Sequence, residues 1–272
     1  MSDWKYAVSF AEHTPMTAPL PLAGDLYENM EKAIALGFDG IEFHTREDFA
    51  FDYERIAASR CRISMLVTGR IFTEDRYNLL DSDASRAERC LEILKTYLDK
   101  AAKIGAGIVL GWAKGQAASD ADAALHTLGE RLQDLNAYAG KVQAPIVIEA
   151  LNRYETNILR TASETLHFID KYALDHCFVH LDTFHMNIEE TDPYEAIRIC
   201  EDRLGYFHAS DNTRRCPGGG QLDFDRLLSA LDRIGYSGWI DVECIPGPDR
   251  EATAGSAFCY LKSCERRLLS NQ

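Results

Sequence analysis

The chain has 272 residues, 46% of them hydrophobic and 26% charged, with a net charge of −14. This composition fits a soluble globular protein, and the acidic balance speaks against nucleic acid, whose phosphates need clustered Lys and Arg. No apolar run is long enough to cross a membrane. The opening MSDWKYAVSF lacks a basic start followed by an apolar core, so a cytoplasmic protein without a signal peptide is expected.

Short β-rich runs alternate with longer amphipathic ones along the whole chain. YAVSF precedes DLYENMEKAIALG, and GIEFH precedes DYERIAAS. ISMLVTG leads to DASRAERCLEILKTYLDKAAKIGA, whose apolar residues recur with the period of a helix buried on one face. GIVLGW then precedes ADAALHTLGERLQDLNAYAG, PIVIEA precedes SETLHFIDKYA, and CFVHLD precedes DPYEAIRICEDR. LGYFHAS leads into DFDRLLSALDRIG, and WIDVEC into the closing ATAGSAFCYLKSCERRLL. Gly37, Gly105 and Gly235 stand where helices should stop.

Eight strand–helix units in this length predict an α/β fold, a single (β/α)8 TIM barrel forming one domain over residues 1–272. A doubly wound sheet is the competing arrangement, but AEHTPMTAPLPLAG after the first strand has no Gly-rich nucleotide turn. The eight cysteines include no C-x-x-C pair and none at metal-ligand spacing, so reduced thiols and no structural zinc are expected.

A barrel carries its active site at the C-terminal ends of its strands. Strand five ends at Glu149, strand six at Asp182, strand seven at His208 and strand eight at Glu243. Side-chain alternation turns Ile146, Ile148, Ile240 and Val242 outward and both glutamates toward the barrel axis. Three carboxylates at one mouth repel each other unless a positive charge sits among them. Lys or Arg could supply it, but Glu, Asp, His and Glu also make a complete ligand set for one divalent cation. Hard oxygen donors with one nitrogen suit Mn²⁺ first, with Co²⁺ or Mg²⁺ as alternatives. Glu155, His185 and Arg214 follow these strand ends within a few residues, on loops where they could hold substrate hydroxyls and oxyanions.

IEALNRYETN, LDTFHMNIEE, FHASDNTRRCPGGGQLDF and DVECIP resemble the xylose-isomerase-like barrels, in particular the ketose 3-epimerase branch with D-tagatose and D-psicose (allulose) 3-epimerases. The likeness is motif-specific over residues 145–245 and looser before it, where it rests on the barrel pattern and the TGRIFTED loop. It implies that Glu149, Asp182, His208 and Glu243 bind the metal and that Glu155, His185 and Arg214 bind the substrate. It also implies that Glu149 and Glu243 are the two catalytic bases. Ala150 departs from the Pro many members carry there, with little expected consequence.

The expected chemistry is C3 epimerisation of a ketose or ketose derivative through a metal-stabilised enediolate, one base serving each face. An aldose–ketose isomerase, a lyase or dehydratase acting on a keto-sugar (including 3-keto-glycosides), and a non-catalytic sugar-binding subunit are the alternatives. The partner is a small-molecule sugar, with no nucleic acid and no membrane. A homo-oligomer is compatible with the sequence. TRRCPGGG, after strand seven, is where barrels often bind phosphate, but its Pro–Gly pair reads first as a surface turn. His180 and Asp241 each precede a proposed ligand by two residues and should meet inside the barrel below the metal.

Overall fold

The computed structural model describes residues 4–270. Eight parallel strands form the barrel: β1 (Lys5–Ala11), β2 (Gly40–Phe43), β3 (Arg62–Val67), β4 (Gly107–Leu110), β5 (Ile146–Glu149), β6 (Cys177–Asp182), β7 (Leu204–His208) and β8 (Trp239–Val242). Each pairs with the next in chain order, and β1 closes the ring on β8 through Tyr6↔Ile240 and Val8↔Val242. A two-residue strand, Leu22–Ala23, lies beside the end of β1.

The connecting helices are α1 (Leu26–Leu36), α2 (Tyr53–Ala58), α3 (Gly69–Thr73), α4 (Ala84–Ile104), α5 (Ala121–Val142), α6 (Ala162–Lys171), α7 (Thr183–Glu189), α8 (Pro193–Cys200), α9 (Phe224–Arg233) and α10 (Arg250–Ser270). Asp25, Asp83 and Asp120 cap α1, α4 and α5 by accepting from free first-turn amides. Gly37, Gly105 and Gly235 all take positive φ where helices end, as the sequence predicts. Among the described residues no helix is long and apolar enough to cross a membrane. The eight cysteines are all free.

Alternation along the strands separates two apolar layers. Ile146, Ile148, Ile240 and Val242 face outward into the main core under the helices. Val147 faces inward and joins Met65, Val67, Val109 and Tyr206 in a second cluster that plugs the barrel. Further toward the strand C-termini the interior turns polar, with Ser9, Glu42, His180 and Asp241 all fully buried. The site rests on that polar layer.

Two short helices do not show in the periodicity, because α3 and α7 are only five and seven residues long. TGRIFTED therefore contains a helix, and His185 stands on α7 where a loop was expected. Asp182 explains α7: its side chain accepts the Phe184 amide at 2.7 Å and caps the helix directly at the strand end. Glu155 and Arg214 lie on loops as expected, Arg214 with φ of 56°.

Candidate active site

All four strand-end residues reach one mouth. His208 Nδ1 is 3.7 Å from Asp182 Oδ2 and 3.5 Å from Glu243 Oε2. His185 Nε2 is 3.6 Å from Glu149 Oε1 and 4.0 Å from Asp182 Oδ2. One ligand atom each from Asp182, His208 and Glu243 falls within 4.8 Å of the others, and the same holds for Glu149, Asp182 and His185. Asp182 Oδ2 and His208 Nδ1 are buried and make no hydrogen bond. Buried polar atoms without partners are costly. A divalent cation among these oxygens and one imidazole would satisfy both, so the residues present fit a metal.

The electrostatics follow from crowding. Burial, with Glu243 close by, pushes the Glu149 carboxyl up to about 8. Burial acts on Asp182 in the same direction, but the Arg214 guanidinium and the two imidazoles hold it well below the usual carboxylate range. Burial pushes His185 down to about 3, so its ring is neutral. The Asn152 backbone amide donates to His185 Nδ1 at 3.3 Å. Arg214 Nη1 lies 3.2 Å from that Nε2 and 3.5 Å from Asp182 Oδ2, and its other terminal nitrogen pairs with Glu243. The Arg214 guanidinium thus stands beside the His185 ring at the cavity, where a donor suits an oxyanion.

Glu155 is held from two sides, accepting from Trp112 Nε1 and Asn152 Nδ2, each at 2.9 Å. Together with Glu149, His185, Arg214 and Glu243 it lines a cavity of about 540 Å³.

Three further residues of the site are not evident in the sequence. Glu42 places Oε2 2.8 Å from His208 Nε2. Its Oε1 is 3.1 Å from His44 Nε2, and His44 is 3.6 Å from Glu243. Lys114, fully buried, donates to the backbone carbonyls of Glu149 and Gly111 at 3.1 and 3.2 Å. A signal for Glu42 exists: it sits between Ile41 and Phe43 with the parity of an inward-facing residue. Lys114 in GWAKG offers none, since lysines on barrel loops are ordinarily solvated.

Two expectations need correction or completion. His180 and Asp241 share the barrel interior but do not bond. The His208 ring packs 4.1 Å from His180 and its Nε2 lies 3.9 Å from Asp241 Oδ2. Asp241 Oδ2 instead accepts from Ser9 at 2.6 Å, and neither ring nitrogen of His180 has a hydrogen-bond partner. The wide imidazole of β7, the strand between them, fills the space across which they would have met. TRRCPGGG is a turn that uses several of its own amides: Gly218 donates to the Asp211 carboxylate, Arg214 to the Asp211 carbonyl and Gly219 to the Cys216 carbonyl. Those amides are not offered to a phosphate.

Fold and site together define a class, a (β/α)8 barrel with carboxylates and imidazoles converging at the C-terminal mouth of its strands. The chain belongs to the xylose isomerase-like TIM barrel family, whose model matches residues 30–264. It is 30% identical over 252 residues to a D-psicose 3-epimerase of Enterocloster bolteae, covering 88% of this chain and 81% of that one. It is 28% identical over 221 residues to a ketose 3-epimerase of Arthrobacter globiformis, covering 77% and 74%. The crystal structure of a 3-keto-D-glucoside 4-epimerase from E. coli superposes with a TM-score of 0.82 at 23% identity, covering 96% of this chain and all of that one. At that identity the superposition speaks to the fold. The relatives are isomerase-type enzymes, and the chain is an enzyme of that kind.

Proposed function

We propose that the chain, as one domain over residues 1–272, is a metal-dependent ketose 3-epimerase working in the cytoplasm on a small-molecule sugar. The observation that carries this reading is the pair of buried carboxylates, Glu149 and Glu243, at the ends of β5 and β8, with two strands between them in the barrel wall, facing one cavity. The curated relatives named as ketose and psicose 3-epimerases support the same reaction.

Glu149, Asp182, His208 and Glu243 would hold the divalent ion, Mn²⁺ by preference and Co²⁺ or Mg²⁺ otherwise. When bound, such an ion supplies Lewis-acid polarisation of the substrate's carbonyl. The chain's own residues do the rest. One of the two glutamates takes the C3 proton, and the other returns a proton to the opposite face. The Arg214 guanidinium, beside His185, donates to the C2 oxygen as negative charge grows there, and the His185 ring holds that oxygen in place. Glu155, fixed by Trp112 and Asn152, accepts from a remote sugar hydroxyl.

The test is a screen of ketohexoses and ketopentoses with Mn²⁺ in deuterated water. Expected are the C3 epimer and solvent deuterium at C3. Label at C1 alone would make the enzyme an aldose–ketose isomerase, and loss of water or an aglycone would make it a lyase. Full activity after rigorous chelation would remove the metal from the reading.

A further inference from the structure

A Cβ added at Gly40 would stand 2.6 Å from the Arg62 carbonyl oxygen, and one at Gly107 2.5 Å from that of Pro145, so packing excludes a side chain at both. At Gly69, Gly105 and Gly235 an added Cβ meets nothing within 4 Å. Gly105 and Gly235 end helices at φ of 68° and 67°, a conformation that other residues rarely adopt. Gly69 has neither reason. It is the first residue of α3, its φ is not positive, and a helix is better served there by alanine.

Gly69 lines the cavity, next to the C-terminal end of β3. The residues around it are pinned. The Thr68 hydroxyl donates to the Val109 carbonyl at 2.6 Å, Arg70 Nη2 donates to the His13 carbonyl at 2.6 Å, and Ile71 is buried in the main core. A shift of α3 therefore cannot relieve a new side chain at position 69, which would take up cavity space. Gly111, the other glycine on the cavity wall, differs: its missing side chain makes room for the Glu149 carboxylate. The open space beside Gly69 is claimed by no described side chain. It is also close to Glu155. Phe72 of α3 lines one small void with Trp112 and Glu155, and Trp112 is the donor that holds Glu155.

We infer that Gly69 is a specificity-determining residue that sets how long a ketose the site accepts, its missing side chain leaving room for the terminal carbon of a six-carbon chain. The inference rests on the reading of the cavity floor as a ketose 3-epimerase site. With C2 and C3 held over Glu149 and Glu243, C1 reaches one carbon beyond the carbonyl, and the rest of the chain is the longer arm. That arm carries the remote hydroxyl that Glu155 accepts from, so it passes beside α3. The carbon that a ketohexose has and a ketopentose lacks falls at the end of the same arm. Gly69 has no side-chain donor or acceptor, so it selects by size alone.

The experiment measures kcat/KM of Mn²⁺-loaded protein on ketopentoses and ketohexoses, for the wild type, Gly69→Ala, Gly69→Val and the comparison variant Gly111→Ala. Binding of the same sugars to Mg²⁺-loaded protein is read by saturation-transfer NMR titration. The ratio of ketohexose to ketopentose kcat/KM should fall about tenfold in Gly69→Ala and further in Gly69→Val, since one methylene in a filled pocket is worth roughly 10–200-fold in discrimination. Gly111→Ala displaces a carboxylate that both sugars need, so it should lower both values and leave their ratio in place. The melting temperatures of the Gly69 variants should match or exceed that of the wild type, because no chain atom is displaced. The inference is overturned if neither Gly69 variant lowers the ratio, if the wild type accepts no ketohexose, or if the variants lose stability in step with activity. Ketohexoses epimerised with an unchanged ratio would keep the epimerase reading and discard the role of Gly69. If no sugar exchanges deuterium with solvent but the Gly69 variants still weaken hexose binding relative to pentose, the size selection stands and the epimerase reading falls. Sugars that neither bind nor exchange would remove both.

Discussion

Glu42 Oε2 stands 2.8 Å from His208 Nε2, while the other nitrogen of that imidazole makes no hydrogen bond and points toward Asp182 and Glu243. A carboxylate on β2 thus takes one side of the ring and leaves Nδ1 for a cation. Ligand imidazoles are commonly oriented in this way by a carboxylate behind them, and loss of such a partner costs about 10–100-fold in metal affinity. Glu42→Gln should weaken Mn²⁺ binding by that factor in a calorimetric titration while leaving the circular dichroism spectrum unchanged. Unaltered affinity would separate His208 from the ligand set.

Gly111 closes β4 against Glu149: a Cβ built there would stand 2.5 Å from Glu149 Oε2. A side chain at this position would have to displace that carboxylate. Gly111→Ala should displace the carboxylate, lowering metal affinity and turnover at least about tenfold with little change in melting temperature. Normal kinetics in this variant would mean that the Glu149 carboxylate can move without consequence.

That the four candidate ligands reach the mouth was legible because a barrel gives position a meaning: a polar residue that ends an apolar strand with inward parity faces the mouth. Glu155, His185 and Arg214 were legible through motif resemblance, and the structure brings all three to the same cavity. Glu42 has the same parity but lies inside a strand of the less recognisable first half, and its meaning depends on His208, which is distant in sequence. The His180–Asp241 contact failed for a related reason. Parity places residues in the interior, but it does not say which side chain occupies the space between two of them.

His185 and Arg214 act on the substrate oxygen in the proposed reaction, so their loss should separate turnover from metal binding. His185→Gln and Arg214→Lys should lower kcat by roughly 100-fold or more, the scale of losing one oxyanion donor, while retaining metal by calorimetry. Glu149→Gln and Glu243→Gln should lose both properties. If all four variants lose metal equally, the division of labour is wrong.

Thiol chemistry offers a check on the packing. Burial pushes Cys61, Cys90, Cys177 and Cys200 up to about 12, and Cys216 to about 11, which leaves little thiolate near neutrality. Cys259 alone among the cysteines is exposed. Brief alkylation of native protein, read by mass spectrometry of peptides, should label Cys259 first and the core thiols only after unfolding. Rapid labelling of Cys177 would show that the barrel-facing side of the helical layer opens readily.

Glu189, at the end of α7, bears on acid stability. Burial pushes the Glu189 carboxyl up, but the Arg153 backbone amide at 2.6 Å and its guanidinium at 2.8 Å outweigh this and hold it below the ordinary glutamate value. The folded state therefore binds fewer protons than the unfolded chain in acid. The interaction stabilises fully above the unfolded carboxylate value of about 4.3 and is lost as pH falls through the lower folded value. The Glu189 side chain is only 3% exposed, but that of Arg153 is 53% exposed, so solvent screening reduces what the pair contributes. Glu189→Gln should cost about 1 kcal/mol near neutrality, measured by urea unfolding. That gap from the wild type should close as the pH is lowered past the carboxylate range, because the native Glu189 is then protonated as well. A gap that stays constant with pH would mean that the pair contributes through packing and not through charge.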